Sequence, residues 1–216
     1  MTRSVDVLAF DWDGTLIDSI GWIVQCLQYA ARTCELAVPG EAAARDVIGL
    51  SLTNAFGTLF PASSPAQRQQ LIAGYRELYF SHDTRPEDLF PGVAEMLEEF
   101  RLRGYRLAVA TGKATDGLRL ALEGAGVASL FDATRCAEQT ASKPDPLMLH
   151  EIMADLNAPP ERVLMVGDSV HDLQMAHNAR VASAAVTCGA NRPEQLLPLK
   201  PRWCLNRAPD LLAILD

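Results

Sequence analysis

The first apolar segment of the chain, residues 5–10, is followed at once by two carboxylates, Asp11 and Asp13. A run of Val, Leu, Ala and Phe with few polar breaks is typical of a strand buried on both faces of a parallel sheet. After Asp18 the apolar positions take the spacing of amphipathic helices, and Ser19 is the expected N-cap of the first helix. We therefore predict a strand followed by four helical segments, at residues 20–38, 41–47, 52–59 and 65–81.

From residue 90 the pattern alternates between apolar runs of strand length and amphipathic helices. This alternation predicts an α/β fold, with a doubly wound, Rossmann-like and mostly parallel sheet as its core. The predicted core comprises residues 1–17 and 90–216, and residues 18–89 form an all-helical cap domain inserted after the first strand. The predicted strands are 106–110, 133–136, 162–166, 184–187 and 203–205, and the predicted helices are 93–103, 116–124, 146–156, 170–179 and 209–215.

Length and composition narrow the classes of protein that fit. A chain of 216 residues with 49% hydrophobic and 21% charged residues suits a soluble protein with one full core and a small appendage. A net charge of −8 argues against a nucleic-acid-binding surface. The five cysteines form no C-x-x-C pair, which favours free thiols in a reducing compartment. With no signal-peptide pattern and no membrane-spanning apolar stretch, we expect a cytoplasmic protein.

The residues that carry chemistry follow the predicted strands. The carboxyl ends of parallel strands meet at one edge of a sheet, so these side chains are expected to share a cleft there. Neighbouring carboxylates repel each other unless a metal ion or a phosphorylated ligand lies between them. The four sites are Asp11 with Asp13, Thr111 with Gly112, Lys143, and Asp168 with Asp172.

In order and spacing these motifs resemble those of the haloacid dehalogenase-like superfamily of hydrolases. The motifs are D-x-D-G-T at residues 11–15, a strand-end threonine, a lysine before a helix, and G-D-x-x-x-D at residues 167–172. The resemblance covers essentially the whole chain and includes the position of the helical cap. It implies a phosphatase that acts on a small phosphorylated metabolite, as a monomer or homodimer.

The resemblance also implies a role for each residue in phosphoryl transfer. Asp11 is the expected nucleophile, which would form an aspartyl-phosphate. Asp13 would protonate the departing alkoxide and later take a proton from the attacking water. Thr111 and the main-chain N–H of Gly112 are expected to bind the phosphoryl oxygens, and Lys143 to neutralise their charge.

The metal site expected from the resemblance contains only oxygen ligands. These are the side chains of Asp11 and Asp168, the main-chain carbonyl of Asp13, and Asp172 either directly or through water. Hard oxygen ligands beside a phosphate suit Mg²⁺.

Three observations distinguish between branches of the superfamily. Asp13 argues against a dehalogenase, because a halide leaving group needs no proton. The cap segment contains no lysine, which disfavours phosphonoacetaldehyde hydrolase-like chemistry through a Schiff base. Leu52 stands where phosphoglucomutase-like members carry a basic residue. The phosphoglycolate phosphatase-like branch fits best, while β-phosphoglucomutase-like phosphoryl transfer and a non-catalytic binding module stay open as alternatives.

Substrate contacts are expected from the cap loop around residues 47–51 and its neighbours. The candidates are Arg45, Gly49, Ser51 and Asn54. Lys113 follows the Thr-Gly motif directly but has no role in the resemblance, and we predict that it is a surface residue.

Overall fold

The computed structural model describes residues 4–216. Its core is a single six-stranded sheet in which all neighbouring strands are parallel, in the order β3-β2-β1-β4-β5-β6. This confirms the predicted α/β class. The strands are β1 (Val7–Phe10), β2 (Arg106–Thr111), β3 (Ala133–Cys136), β4 (Val163–Gly167), β5 (Ala182–Val186) and β6 (Trp203–Leu205).

Nine α-helices accompany the sheet within the described range. They are α1 (Ile20–Thr33), α2 (Glu41–Asp46), α3 (Leu52–Leu59), α4 (Pro65–Tyr79), α5 (Val93–Leu102), α6 (Thr115–Gly124), α7 (Leu147–Asp155), α8 (Val170–Asn178) and α9 (Pro193–Leu196).

Strand β1 lies at the centre of the sheet, between β2 and β4. Its side chains alternate between two fully buried clusters, because successive residues of a strand point to opposite faces. Leu8 and Phe10 pack with α5 and α6, whereas Val7 and Ala9 pack with α7 and α8. The strand order reverses between β1 and β4, and this switch point is where open α/β sheets form a ligand crevice.

Helices α1 to α4 form a separate hydrophobic cluster over the carboxyl ends of the strands. Phe56 and Leu71 are fully buried at its centre, and α1 and α4 pack extensively against each other. The two chain segments that join this cluster to the sheet run side by side. The Asp18 N–H donates to the Asp88 carbonyl at 2.9 Å, and the Phe90 N–H donates to the Leu16 carbonyl at 3.0 Å.

Most predicted elements are present, with boundaries shifted by up to five residues, the largest shift being the end of α1 at Thr33 instead of residue 38. Strand β1 begins at Val7 instead of residue 5, and α7 begins at Leu147. The predicted C-terminal α-helix is instead a 3₁₀ helix over Ala208–Ala213. Ser19 occupies the N-cap position of α1, but its hydroxyl does not cap the helix.

Candidate active site

Four predicted site residues converge in the crevice at the centre of the sheet. Asp11 directly follows β1, Thr111 ends β2, Asp168 follows β4, and Lys143 comes from the loop before α7. Each is at most 1% exposed. The Asp11 N–H donates to the Val166 carbonyl at 2.9 Å, which continues the β1–β4 pairing and sets the carboxylate at the switch point.

Lys143 is the cation at the centre of this group. Its ammonium donates to Oδ1 of Asp11 at 2.7 Å and to Oδ1 of Asp172 at 2.6 Å. Burial disfavours the charged ammonium, but attraction to these two carboxylates outweighs it and raises the pKa of Lys143. Lys143 therefore remains charged and holds the two acids in fixed positions.

Asp168 accepts two hydrogen bonds from its surroundings, and Asp172 accepts two in addition to that from Lys143. Asp168 accepts from the Thr15 hydroxyl at 2.8 Å and from the Ala190 N–H at 2.6 Å. The second oxygen of Asp172 accepts from the N–H and the hydroxyl of Ser169, which form a capping box at the start of α8. Neither carboxylate is free to rotate toward another partner.

These acids carry more negative charge than Lys143 can neutralise. One oxygen from each of Asp11, Asp168 and Asp172 lies within 4.8 Å of the others. Burial raises the pKa of Asp11 well above its ordinary value, although Lys143 opposes the shift. Burial, followed by repulsion from Asp172, raises the pKa of Asp168 to about 7. Three carboxylates around one ammonium in a buried crevice fit a divalent cation held by oxygen ligands.

Asp13 lies at the mouth of the crevice, and its carboxylate oxygens accept three hydrogen bonds. Oδ1 accepts from the Ser19 hydroxyl at 2.7 Å and from the Lys113 ammonium at 3.0 Å, and Oδ2 accepts from Lys113 at 2.9 Å. Ser19 therefore positions this carboxylate instead of capping α1.

The prediction that Lys113 is a surface residue is wrong. Its side chain is only 7% exposed, and its ammonium also donates to the Tyr79 hydroxyl at the end of α4. Burial disfavours the charge, but Asp13 and Tyr79 outweigh it and raise the pKa of Lys113. One feature of the sequence indicates a buried position for Lys113. It lies two residues past the end of β2, and the neighbouring strand β1 is followed by the carboxylates Asp11 and Asp13.

A cavity of about 70 Å³ lies between the helical cluster and the crevice. Asp13 and Lys113 form its polar end. The other walls are mostly apolar and include Ile23, Leu27, Ile48, Leu50, Leu52 and Ala55, with Tyr75 and Tyr79 beside them. The cavity is therefore placed to receive the part of a ligand that extends away from the acids.

Close contacts between the cap loop and the strand ends form one side of this cavity. A Cβ atom at Gly112 would lie 2.5 Å from the carbonyl oxygens of Gly49 and Leu50, so only glycine fits in this arrangement. Gly49 itself has a φ of 96°, in the left-handed region that favours glycine. The backbone of the cap loop therefore lies directly against the predicted phosphate-binding turn.

The four cap candidates are placed differently from one another. Gly49 lines the cavity. Arg45 donates to the carbonyl of Gly189 at 2.8 Å, and the N–H of Ser51 donates to the Ser142 hydroxyl at 2.9 Å. Asn54 is exposed in the first turn of α3. Arg45 and Ser51 thus join cap to core, and neither they nor Asn54 line the cavity.

Comparisons with known proteins identify the family. The sequence profile described as "Haloacid dehalogenase-like hydrolase" matches residues 8–186. The chain is 36% identical to "Probable phosphatase IndB" of Dickeya dadantii over 202 residues, covering 91% of this chain and 87% of that protein. The chain belongs to the haloacid dehalogenase-like hydrolases and is an enzyme of the phosphatase class, similar to its phosphoglycolate phosphatase-like branch.

Further relatives carry two different names. The chain is 30% identical to "Pyrophosphatase PpaX" of Listeria monocytogenes, covering 99% of this chain and 98% of the relative. It is also 30% identical to "Phosphoglycolate phosphatase" of Vibrio cholerae, covering 98% and 97%. A haloacid dehalogenase-like hydrolase from Bacteroides fragilis superposes with a TM-score of 0.87 at 25% identity, covering 96% of this chain and 99% of that structure.

Within residues 4–216, none of the helices combines the length and the apolar character that crossing a membrane would require.

Proposed function

We propose that the protein is a Mg²⁺-dependent phosphatase that hydrolyses a small phosphomonoester through an aspartyl-phosphate on Asp11. The observation that carries this proposal is the buried group of Asp11, Asp168 and Asp172 around Lys143. The family and the names of the relatives support the reaction class, and the oxygen-only donor set supports Mg²⁺.

The nucleophile in this proposal is Oδ2 of Asp11. Lys143 holds the other oxygen, and no hydrogen bond from residues 4–216 reaches Oδ2. Lys143 orients the carboxylate and neutralises charge on the transferred group. The hydroxyl of Thr111 accepts from the Lys113 N–H at 3.3 Å, which leaves its own proton available for a phosphoryl oxygen.

Asp13 would act as the general acid and then as the general base of the reaction. It lies two residues beyond the nucleophile and faces the cavity that would hold the leaving group. In the first half-reaction it would protonate the departing oxygen, and in the second it would accept a proton from the attacking water. The Ser19 hydroxyl keeps one carboxylate oxygen oriented for this exchange.

Mg²⁺ would be held by Asp11 and Asp168, by the main-chain carbonyl of Asp13, and by Asp172 directly or through water. When bound, it would neutralise phosphoryl oxygens and lower the repulsion between the nucleophile and the phosphate. The residues fit such an ion because their charges are only partly compensated by Lys143.

Residues 18–89 would act as a cap that excludes water while the aspartyl-phosphate exists. The side-by-side connections at Ile17 and Leu89 are suited to a hinge, because only two chain segments join the cap to the core. We place the reaction in the cytoplasm, where the five free cysteines would stay reduced.

The test is phosphate release from p-nitrophenyl phosphate and 2-phosphoglycolate, with and without EDTA. Asp11→Asn is expected to lower kcat by about 10⁴-fold or more, because it removes the nucleophile. The matched control is Asp116→Asn, which changes an exposed carboxylate in the first turn of α6. Activity that survives in Asp11→Asn or ignores chelation contradicts the proposal, as does accumulation of an isomerised sugar phosphate in place of inorganic phosphate.

A further inference from the structure

Arg45, in the last turn of α2, extends from the cap to the core loop that follows β5. Its Nη2 donates to the carbonyl of Gly189 at 2.8 Å, and its Nε donates to the carbonyl of Ala190 at 3.4 Å. On its exposed side the guanidinium meets the Glu41 carboxylate at 3.4 Å, one helical turn earlier. Arg45 therefore gives two hydrogen bonds to a single loop of the core.

The same loop holds Asp168, the acid expected to bind the metal. The N–H of Ala190 donates to Oδ2 of Asp168 at 2.6 Å, and the N–H of Asn191 donates to the Asp168 carbonyl at 3.2 Å. A Cβ atom at Gly189 would lie 2.0 Å from the same Oδ2, so only glycine allows this close approach. The loop therefore supports both the side chain and the backbone of Asp168.

One peptide group connects the cap arginine to this acid. The carbonyl of Gly189 and the N–H of Ala190 belong to the same peptide, and in a trans peptide these groups point in opposite directions. The peptide therefore lies between the guanidinium of Arg45 and the carboxylate of Asp168. Hydrogen bonds in such a chain polarise one another, because a cation at the carbonyl makes the N–H a stronger donor. The contact with Arg45 thus strengthens the hydrogen bond that orients Asp168.

Neighbouring cap residues contact the loop that supports a second acid. A ring nitrogen of His171 lies 3.0 Å from the Asp46 carbonyl, and a Cβ atom at Gly49 would lie 3.0 Å from the Ser169 hydroxyl. The Ser169 hydroxyl in turn donates to Asp172 at 2.6 Å. This side of the cap therefore lies against both loops that hold the predicted metal-binding acids.

We propose that Arg45 is a positioning residue for the metal site, which fixes Asp168 through the Gly189–Ala190 peptide when the cap rests on the core. This inference rests on the proposed phosphatase function and adds to it a link between the cap and Mg²⁺ binding. A group that orients a metal ligand typically contributes about 10- to 100-fold to metal affinity. Because Arg45 acts through one further peptide, we expect a contribution of about tenfold, at the lower end of that range.

Calorimetric titration with Mg²⁺ tests this role without turnover. Arg45→Gln is expected to raise the Kd for Mg²⁺ by about tenfold, because the peptide loses its cationic donor. Arg45→Lys, which keeps a cation on this side chain, is expected to restore most of the affinity. The matched control is Arg68→Gln, because Arg68 is a cap arginine whose hydrogen bonds go to Ser63 in the cap. The Kd of this control should stay within about twofold of wild type.

Kinetics separate this role from a general loss of structure. In Arg45→Gln, the Mg²⁺ concentration that gives half-maximal hydrolysis of p-nitrophenyl phosphate should rise by about tenfold, as the Kd does. At saturating Mg²⁺, kcat should return to within about threefold of wild type, because the reacting residues are intact. A kcat that stays low at every Mg²⁺ concentration, with an unchanged half-saturating concentration, overturns the inference.

A double-mutant cycle tests whether the peptide is the link. In Gly189→Ala the added Cβ would displace this peptide from Asp168, so the affinity for Mg²⁺ should fall even with Arg45 in place. Arg45→Gln made in that background should then weaken Mg²⁺ binding by less than about twofold, because the connection is already broken. Equal effects of Arg45→Gln in both backgrounds would mean that Arg45 acts by another route, which contradicts the inference.

Two further results overturn the inference. One is an unchanged Kd for Mg²⁺ in Arg45→Gln that circular dichroism shows to be folded. The other is an equal loss of affinity in Arg68→Gln, which would assign the effect to the integrity of the cap. Should Arg45→Gln fail to fold, wild-type affinity in Gly189→Ala overturns the inference by itself. Failure of the wild type to bind Mg²⁺ or to release phosphate contradicts the proposed function, whereas the other results leave that function standing.

Discussion

The sheet crevice and the helical cap differ in what they bury. Charged groups converge in the crevice, where Asp11, Lys143, Asp168 and Asp172 are at most 1% exposed. Between residues 20 and 89 the buried residues are apolar or aromatic, apart from glycine. The crevice therefore contains three carboxylates that repel each other and one ammonium that pairs with two of them, whereas the cap is stabilised by hydrophobic packing.

This difference separates two tasks. Under the proposed function, chemistry on a phosphate requires charges in fixed positions, which the ends of the paired strands would supply. Recognition of the leaving group would then fall to the apolar helices, which two chain segments join to the core. The contact between Lys113 and Tyr79 is one of the polar links across the boundary, beside those of Arg45 and Ser51.

Among the substitutions that test this difference between crevice and cap, Asp13→Asn is expected to have the largest effect on activity. An amide cannot exchange protons with the leaving group, so kcat should fall by about 10²- to 10⁴-fold. Mg²⁺ binding, followed by calorimetric titration, should be nearly unchanged because the expected metal contact is through the main chain. The matched control is Asp18→Asn, at an exposed carboxylate nearby. Collapse of Mg²⁺ affinity in Asp13→Asn would mean that its side chain is a metal ligand.

Gly112→Ala tests whether the closed contact between cap loop and strand end is needed for turnover. The added Cβ would meet the carbonyl oxygens of Gly49 and Leu50 at 2.5 Å and push the cap loop away. A displacement of about 1 Å can cost about 10²-fold in rate, and we expect a loss of kcat/KM of that order.

Gly21→Ala is the matched control for this substitution, because a Cβ there would meet nothing within 4 Å. Equal activity of both variants would show that the enzyme does not need this closed arrangement.

Without a metal ion, repulsion between the carboxylates of the crevice should make the free energy of unfolding depend on pH. In EDTA the folded pKa of Asp168 is about 7, whereas the ordinary value is 3.8. The folded state therefore binds this proton more tightly than the unfolded state, and stability should fall as pH rises from about 4 to 7. Mg²⁺ replaces the proton, so its stabilising effect should be larger at pH 8 than at pH 5.5.

Thermal unfolding measures this effect, since a chain of this size shifts its Tm by about 2–4 °C per kcal/mol. The Asp168→Asn variant is the comparison, because it lacks the titrating group. If wild type and Asp168→Asn show the same pH dependence in EDTA, the crevice does not carry the charge imbalance that we infer.

The smallest effect is expected from Asn54→Ala in the cap. Asn54 is exposed and does not line the cavity, so kcat/KM should change by less than about twofold, as for a surface substitution. Leu52→Ala, two residues earlier, enlarges the cavity and should change KM for a substrate that fills it. A larger effect from Asn54→Ala than from Leu52→Ala would show that the substrate binds outside this cavity.

The convergence of the core site could be predicted from sequence because each residue follows a strand. Asp11, Thr111 and Asp168 occupy the ends of β1, β2 and β4, which pair side by side. The alternation of strands and helices predicts that these ends meet at one edge. The role of each residue in catalysis stays a prediction that the variants above test.

The contacts of the cap could not be predicted in the same way. Arg45 and Ser51 are predicted to contact the substrate because they lie in or beside the cap loop, but they bond to core loops at Gly189 and Ser142. No periodic pattern encodes which carbonyl a loop arginine will reach. The contact between Lys113 and the cap is equally non-local, since its partner there, Tyr79, is 34 residues away in the chain.

The sequence by itself determined the α/β class, the helical insertion after β1 and the positions of the acids relative to the strands. These follow from hydrophobic periodicity, which is local and repeats along the chain. Only the tertiary structure decided that Lys113 would pair with Asp13 and which cap residues would line the cavity. The first contact joins residues 100 positions apart in the chain, and the second depends on how the helices pack over the strand ends, so no local pattern encodes either of them.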